Sequence, residues 1–154
     1  MKNYSLLDRA EKDLFTAKLI FNHWDGDELT YDTAAYHVQQ SIEKTMKFVL
    51  SQHKVKFRKQ HDAIFLKEHF EDAGIPLPPW FVPNMDTLDS YVTETRYGSD
   101  LVSARSKILE LLNYAEEYIL EVRQEIEKRQ LEQQKPLEKS SVFIKPDREE
   151  KPHA

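Results

Sequence analysis

Apolar residues recur along this chain at spacings of three and four, the period of a helix that buries one face. In the first stretch Leu7, Ala10, Leu14, Ala17 and Phe21 form one stripe. Ser5 precedes it with Asp8 three positions on, a capping-box-like pair with Asp in place of the usual Glu or Gln, so a first helix is expected from about Ser5 to His23. After a turn around residues 25–27, Asp32 is expected to cap a second helix carrying Ala35, Val38, Ile42, Met46 and Val49 and running to about His53. The basic segment HKVKFRKQ then connects to a shorter third helix, Asp62 to Asp72, which presents Ile64, Phe65 and Phe70 and stops at Gly74. IPLPPW reads as an extended crossover. A fourth helix, from Pro79 or Asn84 to Thr95, places Phe81, Met85, Leu88 and Val92 on one face, and Gly98 closes it. Ser99 is the expected cap of the fifth and longest helix, with Leu101, Ala104, Ile108, Leu111, Ala115, Tyr118, Val122 and Ile126 as its stripe.

The breakers of regular structure support this division. The three glycines are Gly26, Gly74 and Gly98, and residues 1–25, 27–73 and 99–135 contain neither Gly nor Pro. No sustained period-two run of β-branched residues and no hairpin signal appears. The expected fold is all-α, an antiparallel up-and-down bundle of about five helices, none of them apolar all round. Past Glu127 the stripe fades. Residues 130–154 hold five basic and five acidic residues, three prolines and one short apolar patch, Val142 to Ile144. The expected organisation is therefore a helical bundle over residues 1–129 and a disordered, charge-neutral tail over 130–154.

At 154 residues the chain suits one core. It has no cysteine, which removes disulfide frameworks, cysteine zinc sites and thiol nucleophiles. With 22 basic and 27 acidic residues the net charge is −5, which argues against a protein that coats nucleic-acid phosphates. Charged opening residues and apolar runs of no more than four residues carry no signal-peptide core and no membrane span, so a cytoplasmic protein is expected, with no membrane partner.

Motifs for chemistry are sparse. None of the six histidines (His23, His37, His53, His61, His69, His153) has another three or four residues away, so no metal site is expected, and no phosphate loop, nucleophile elbow or zincin motif occurs; no cofactor is expected either. Two segments are less ordinary. In AAYHVQQSIEKTMKF, Gln39 and Glu43 fall together on the edge of the second helix's stripe, with Tyr36 near them. An ordinary helix with surface Gln–Glu and Gln–Lys pairs accounts for them, and the sequence alone favours that. In YVTETRYGS, Tyr91, Glu94, Arg96 and Tyr97 gather at a helix end, where an Arg can grip a carboxylate or phosphate bidentately. An Arg pairing with the last helical carbonyls explains the same residue equally well.

In order and separation, AAYHVQQSIEKTMKFVL, the His61-Asp62 pair after a basic connector, Gly74-Ile75, and Tyr91 leading to Arg96-Tyr97 resemble the HEPN family over roughly residues 5–127. That resemblance implies a small all-helical domain that forms a homodimer. Many HEPN proteins look like metal-independent ribonucleases, often toxins of toxin–antitoxin systems, that use an Arg and a His a few residues later. Others are non-catalytic and accompany a small nucleotidyltransferase, and some are thought to bind nucleotides. Here Arg96 stands where the catalytic Arg belongs, but the positions for the His hold Leu101, Val102 and Ser103. Strand cleavage through a ribose 2′-OH needs a proton acceptor and donor near neutral pH, so that absence points away from an enzyme. Arg148 and His153 repeat the spacing only in the tail, where it is read as chance.

The resemblance thus implies a non-catalytic module whose nucleotide- or partner-binding residues are Arg96, Tyr97, Tyr91, Glu43, Gln39 and His61, with a nucleotidyltransferase-type protein, a nucleotide or RNA as possible partners. Two alternatives stay open: a divergent ribonuclease using Arg96 with His61, Tyr97 or Glu94, and a bundle that only dimerises and recruits.

Overall fold

The computed structural model describes residues 3–23, 27–57, 62–97 and 105–150, without the side chains of residues 28, 93–97 and 135–150. Among the described residues there are five α-helices and no strand: α1 (Leu6–Asn22), α2 (Glu28–Gln52), α3 (Ala63–Asp72), α4 (Met85–Tyr97), preceded by a 3₁₀ turn (Val82–Asn84), and α5 (Arg105–Glu150). The chain divides into two units, residues 1–120 and 121–154. No helix among the described residues is long and apolar enough to cross a membrane.

α1 forms where its local signals place it. The Asp8 N–H donates to the Ser5 hydroxyl at 3.1 Å and the Ser5 N–H donates to the Asp8 carboxylate at 2.9 Å, a complete capping box. All five residues of its stripe, Leu7, Ala10, Leu14, Ala17 and Phe21, are buried.

α2 departs from expectation in two ways. Its cap is Asp27, whose carboxylate accepts the Leu29 N–H at 3.0 Å; Asp32 lies inside the helix, because the extended backbone at Asp27 already presents an acceptor to the first turn. Burial also reaches well beyond the stripe. Tyr31, Ala34, Phe48 and Leu50 join Ala35, Val38, Ile42 and Met46 inside, together with the polar Gln39, Ser41, Glu43, Thr45 and Lys47, whereas Val49 is only half-buried. The cause is tertiary: α1, α3 and α4 all pack on α2, so a helix that reads as amphipathic is enclosed on most of its circumference. Thr45 meets this locally, its hydroxyl donating to the Ser41 carbonyl at 2.7 Å.

On the α1 side the enclosure is closed by one carboxylate. Asp13 of α1, 13 % exposed, takes the His37 Nδ1–H at 3.0 Å on one oxygen and the Lys44 ammonium at 2.5 Å on the other. His37 and Lys44 are seven residues apart, so two turns of α2 are fixed against a single point of α1.

In α3, Asp62 is the cap as expected, accepting the Phe65 N–H at 2.9 Å. Phe65 and Phe70 are buried, but Ile64 is 58 % exposed, while Ala63 and Leu66 are buried, because the core-facing arc of α3 follows Ala63, Leu66 and Phe70 at three and four. The helix ends in a Schellman closure: the Ile75 N–H bonds the Phe70 carbonyl at 2.9 Å and the Gly74 N–H the Glu71 carbonyl at 3.1 Å, with Gly74 at φ +69°. That positive φ is what calls for glycine.

The proline-rich crossover is pinned at its far end, where Trp80 stacks flat on Tyr114 (5.3 Å between centroids, 3° between planes) and meets Tyr118 edge-on at 5.8 Å. The buried Asn84 side chain donates to the Trp80 carbonyl at 2.7 Å and turns the chain into α4. Phe81, just before the 3₁₀ turn, and Leu88 of α4 are buried as expected; in α4 Tyr91 is buried too, while Met85 and Val92 are half-buried. In α5, Ile108, Leu111, Leu112, Ala115, Tyr118 and Ile119 line the core, and α5 meets α1 through the Lys18–Glu116 ion pair and the Arg105 guanidinium 4.7 Å over the Phe21 ring. Gly26, Gly98, Ser99, Leu101 and Ala104 lie outside the described residues. In the second unit α5 continues to Glu150, past the point near Glu127 where its apolar stripe fades. Residues 127–135 are almost all strong helix formers, and Arg129 reaches Glu125 one turn back at 3.4 Å.

Asp13→Ala leaves the half-buried Lys44 ammonium and the His37 Nδ1–H of α2 without their carboxylate and is expected to cost about 1–2 kcal/mol in urea unfolding, intermediate between exposed and fully buried pairs. Gly74→Ala forces a side chain into positive φ and is expected to cost about 1 kcal/mol in the same measurement.

Candidate functional site

α2, α3 and α4 converge beyond the enclosed face of α2. Gln39, Ile42 and Glu43 of α2, Ala63 and Leu66 of α3, and Phe81, Leu88 and Asp89 at and within α4 line one small cavity of about 10 Å³, roughly the room of a single water. Two carboxylates and an amide meet here among apolar walls.

Gln39 is 4 % exposed and Glu43 3 %, so the pair that sequence spacing set on the edge of a stripe is inside the bundle. The reason is the same enclosure: α3 and α4 cover the flank of α2 that its stripe leaves open. Gln39 accepts at Oε1 from the Gln40 amide at 2.7 Å, the amide orientation being set by that bond. Glu43 has the Lys47 ammonium one turn on, 3.9 Å away, with both side chains almost fully buried, and Lys47 lies 5.9 Å from the centre of the Phe57 ring. Tyr36, expected near them, sits edge-on to His37 at 5.5 Å.

Asp89 is the residue that sequence reasoning missed. Its carboxylate accepts the N–H of Ala63, the first residue of α3, at 2.9 Å, across 26 positions of sequence. Two acids therefore serve the start of α3: Asp62 takes the Phe65 N–H from within the chain's own turn, and Asp89 takes the Ala63 N–H from another helix. Burial pushes the Asp89 carboxyl above the ordinary Asp range; the Ala63 N–H opposes that shift, and the nearby Asp62 and Asp86 charges add to it. A sequence signal exists in retrospect. Met85, Asp89, Val92 and Arg96 follow at four, three and four, so an acid shares the register of α4 that holds Met85 and Val92.

Tyr91 is 1 % exposed, and burial, with the Glu110 charge as a smaller cause, pushes its phenol up to about 12. It is thus a neutral hydroxyl inside the bundle at any ordinary pH. Arg96 and Tyr97 occupy the last turn of α4, and their side chains, like the whole of His61, lie outside the described residues. Of the six expected site residues, then, Gln39 and Glu43 line one cavity and Tyr91 is buried on the helix that also supplies Asp89.

What this arrangement can do chemically is limited by its size. A cavity with the room of one water does not admit a nucleobase, and Gln39, Glu43 and Tyr91 are enclosed rather than open to a ligand. The four described histidines are engaged elsewhere: His37 with Asp13, His23 and His53 with carbonyls of their own helices, and His69 against the Phe65 ring. Among the described residues, no group of three or more His, Cys, Asp or Glu is placed to hold a metal ion.

Among known families, the model of the one described as HEPN domain matches residues 4–126, most of the chain. No curated protein and no solved structure matches it significantly.

The raised phenol of Tyr91 gives a signed prediction. The folded chain holds this proton above its ordinary value of 10.0, so below pH 10 the group does not change stability, and as pH climbs from 10 to about 12 stability falls. Phenolate absorbance, taken as wild type minus Tyr91→Phe, should show one tyrosine ionising near 12, and the variant should lose stability less steeply over that window. A Tyr91 titration at its ordinary value contradicts the burial described here.

Proposed function

This chain belongs to the HEPN family, and we propose that within it the protein is a non-catalytic binding module: a homodimer that takes a nucleotide, or a nucleotidyltransferase-type protein partner, at the end of α4 where Arg96 and Tyr97 stand. The observation that carries the non-catalytic reading is the identity of residues 101–103. Where a HEPN ribonuclease needs a His to move a proton, the chain has Leu101, Val102 and Ser103. The engagement of His23, His37, His53 and His69 within or between helices supports it further.

In this reading the roles divide by depth. Arg96 supplies a delocalised cation suited to phosphate or carboxylate. Gln39, Glu43 and Tyr91, being buried, act behind the binding surface and hold α2 and α4 in register. A recognition role without turnover asks only for fixed geometry, which an internally braced helix junction provides.

Calorimetric titration of the full chain with ATP, GTP and nucleoside monophosphates is expected to give heat for at least one of them, and Arg96→Ala to abolish it. No heat for any nucleotide, together with no nucleotidyltransferase-type protein on purification from the native host, overturns the binding reading. Labelled RNA incubated with the protein and a chelator is expected to stay intact; cleavage lost in Arg96→Ala overturns the non-catalytic one. Light scattering is expected to give twice the 18.2 kDa chain mass.

A further inference from the structure

We propose that Asp89 is a positioning residue: through the Ala63 N–H it fixes the first turn of α3 to α4 and so sets the walls of the cavity that holds Gln39 and Glu43. This rests on the reading of that cavity as the brace behind the binding surface. The first four N–H groups of a helix have no partner within it, and they are ordinarily met by the cap residue and by water. In α3 the cap, Asp62, covers the Phe65 N–H, and the N–H of Ala63 is taken by a side chain from α4. Ala63 and Asp89 both line the cavity, so the bond is one of its walls.

Two features separate this contact from a simple surface cap. Asp89 sits on α4 at the register of Met85, Val92 and Arg96, the last of them two turns along the same face, so a bond made at Asp89 fixes the rotation of the helix that carries Arg96. What Asp89 supplies to Ala63 is a single acceptor oxygen at 2.9 Å from an uncharged backbone N–H, a role that an amide oxygen at the same place can also fill. A neutral amide of the same shape should therefore replace it, and a methyl should not.

The test compares Asp89→Ala with Asp89→Asn in the full chain. Three readouts are taken: hydrogen exchange of the Ala63 amide, the NMR signals of the Gln39 side-chain NH₂, and ATP affinity by calorimetry. In Asp89→Ala the Ala63 amide is expected to exchange about tenfold faster, the loss of one part-buried hydrogen bond, with the Gln39 signals shifted and ATP affinity about tenfold weaker. Asp89→Asn is expected to keep all three at wild-type values. Asp13→Ala serves as the control that loosens the bundle on the α1 side of α2, and it is expected to leave ATP affinity and the Gln39 signals unchanged.

Unchanged Ala63 exchange and Gln39 signals in Asp89→Ala overturn the proposal, and so does their loss in Asp89→Asn, which stands as a test even if the alanine variant fails to fold. Absence of ATP binding by the wild type counts against the nucleotide reading alone, because the two spectroscopic readouts decide the role of Asp89 without any ligand.

Discussion

A helix enclosed by its neighbours must settle its polar side chains without bulk water, and α2 is such a helix. Gln39, Ser41, Glu43, Thr45 and Lys47 are buried along with its apolar stripe. An unpaired polar group there costs about 1–3 kcal/mol, more if charged, so the helices around α2 are constrained to supply partners or room. Much of the described packing follows from that demand. Thr45 turns back on its own helix, Lys47 reaches Glu43, and Asp13 crosses from α1 to hold His37 and Lys44.

The two flanks of α2 answer the demand differently, and the difference separates stability from the candidate site. On the α1 flank one carboxylate of α1 meets the Lys44 ammonium and the His37 ring N–H of α2 at the edge of solvent. On the α3–α4 flank Glu43, Gln39 and Asp89 face a small cavity, and the Asp89 oxygen is spent on the start of α3. Only the second arrangement is continuous, through the register of α4, with the turn that carries Arg96. A carboxylate that props a helix holds geometry without touching anything outside the bundle.

What could be read from the chain beforehand was what is decided locally. Ser5 with Asp8, the Asp62 cap and the Gly74 stop depend on neighbours within a few residues, and each forms as read. The stripe of α1 was legible because that helix buries one face only. Ile64 in place of Leu66, and Gln39 and Glu43 as edge residues, depend on which other helix covers the position, and a single helix's period does not contain that; the cap of α2 falls at Asp27 rather than Asp32 for a local reason, the extended backbone that aims the Asp27 carboxylate at the Leu29 N–H. Asp89 was missed because its partner is 26 residues away, although an acid in the register of an apolar stripe was visible. Arg96 and Tyr97 stand out by residue chemistry at a helix end and His61 by family likeness; the match over residues 4–126 secures the family, while their roles rest on the proposal above.

Enclosure of α2 is the premise of all this, and native-state hydrogen exchange tests it most directly. If α2 is the enclosed element, the amides of residues 41–47 exchange only through global unfolding, with an opening free energy equal to that of the whole first unit and the same denaturant dependence. Exchange of those amides by local opening, at a free energy below that of α1, would contradict it.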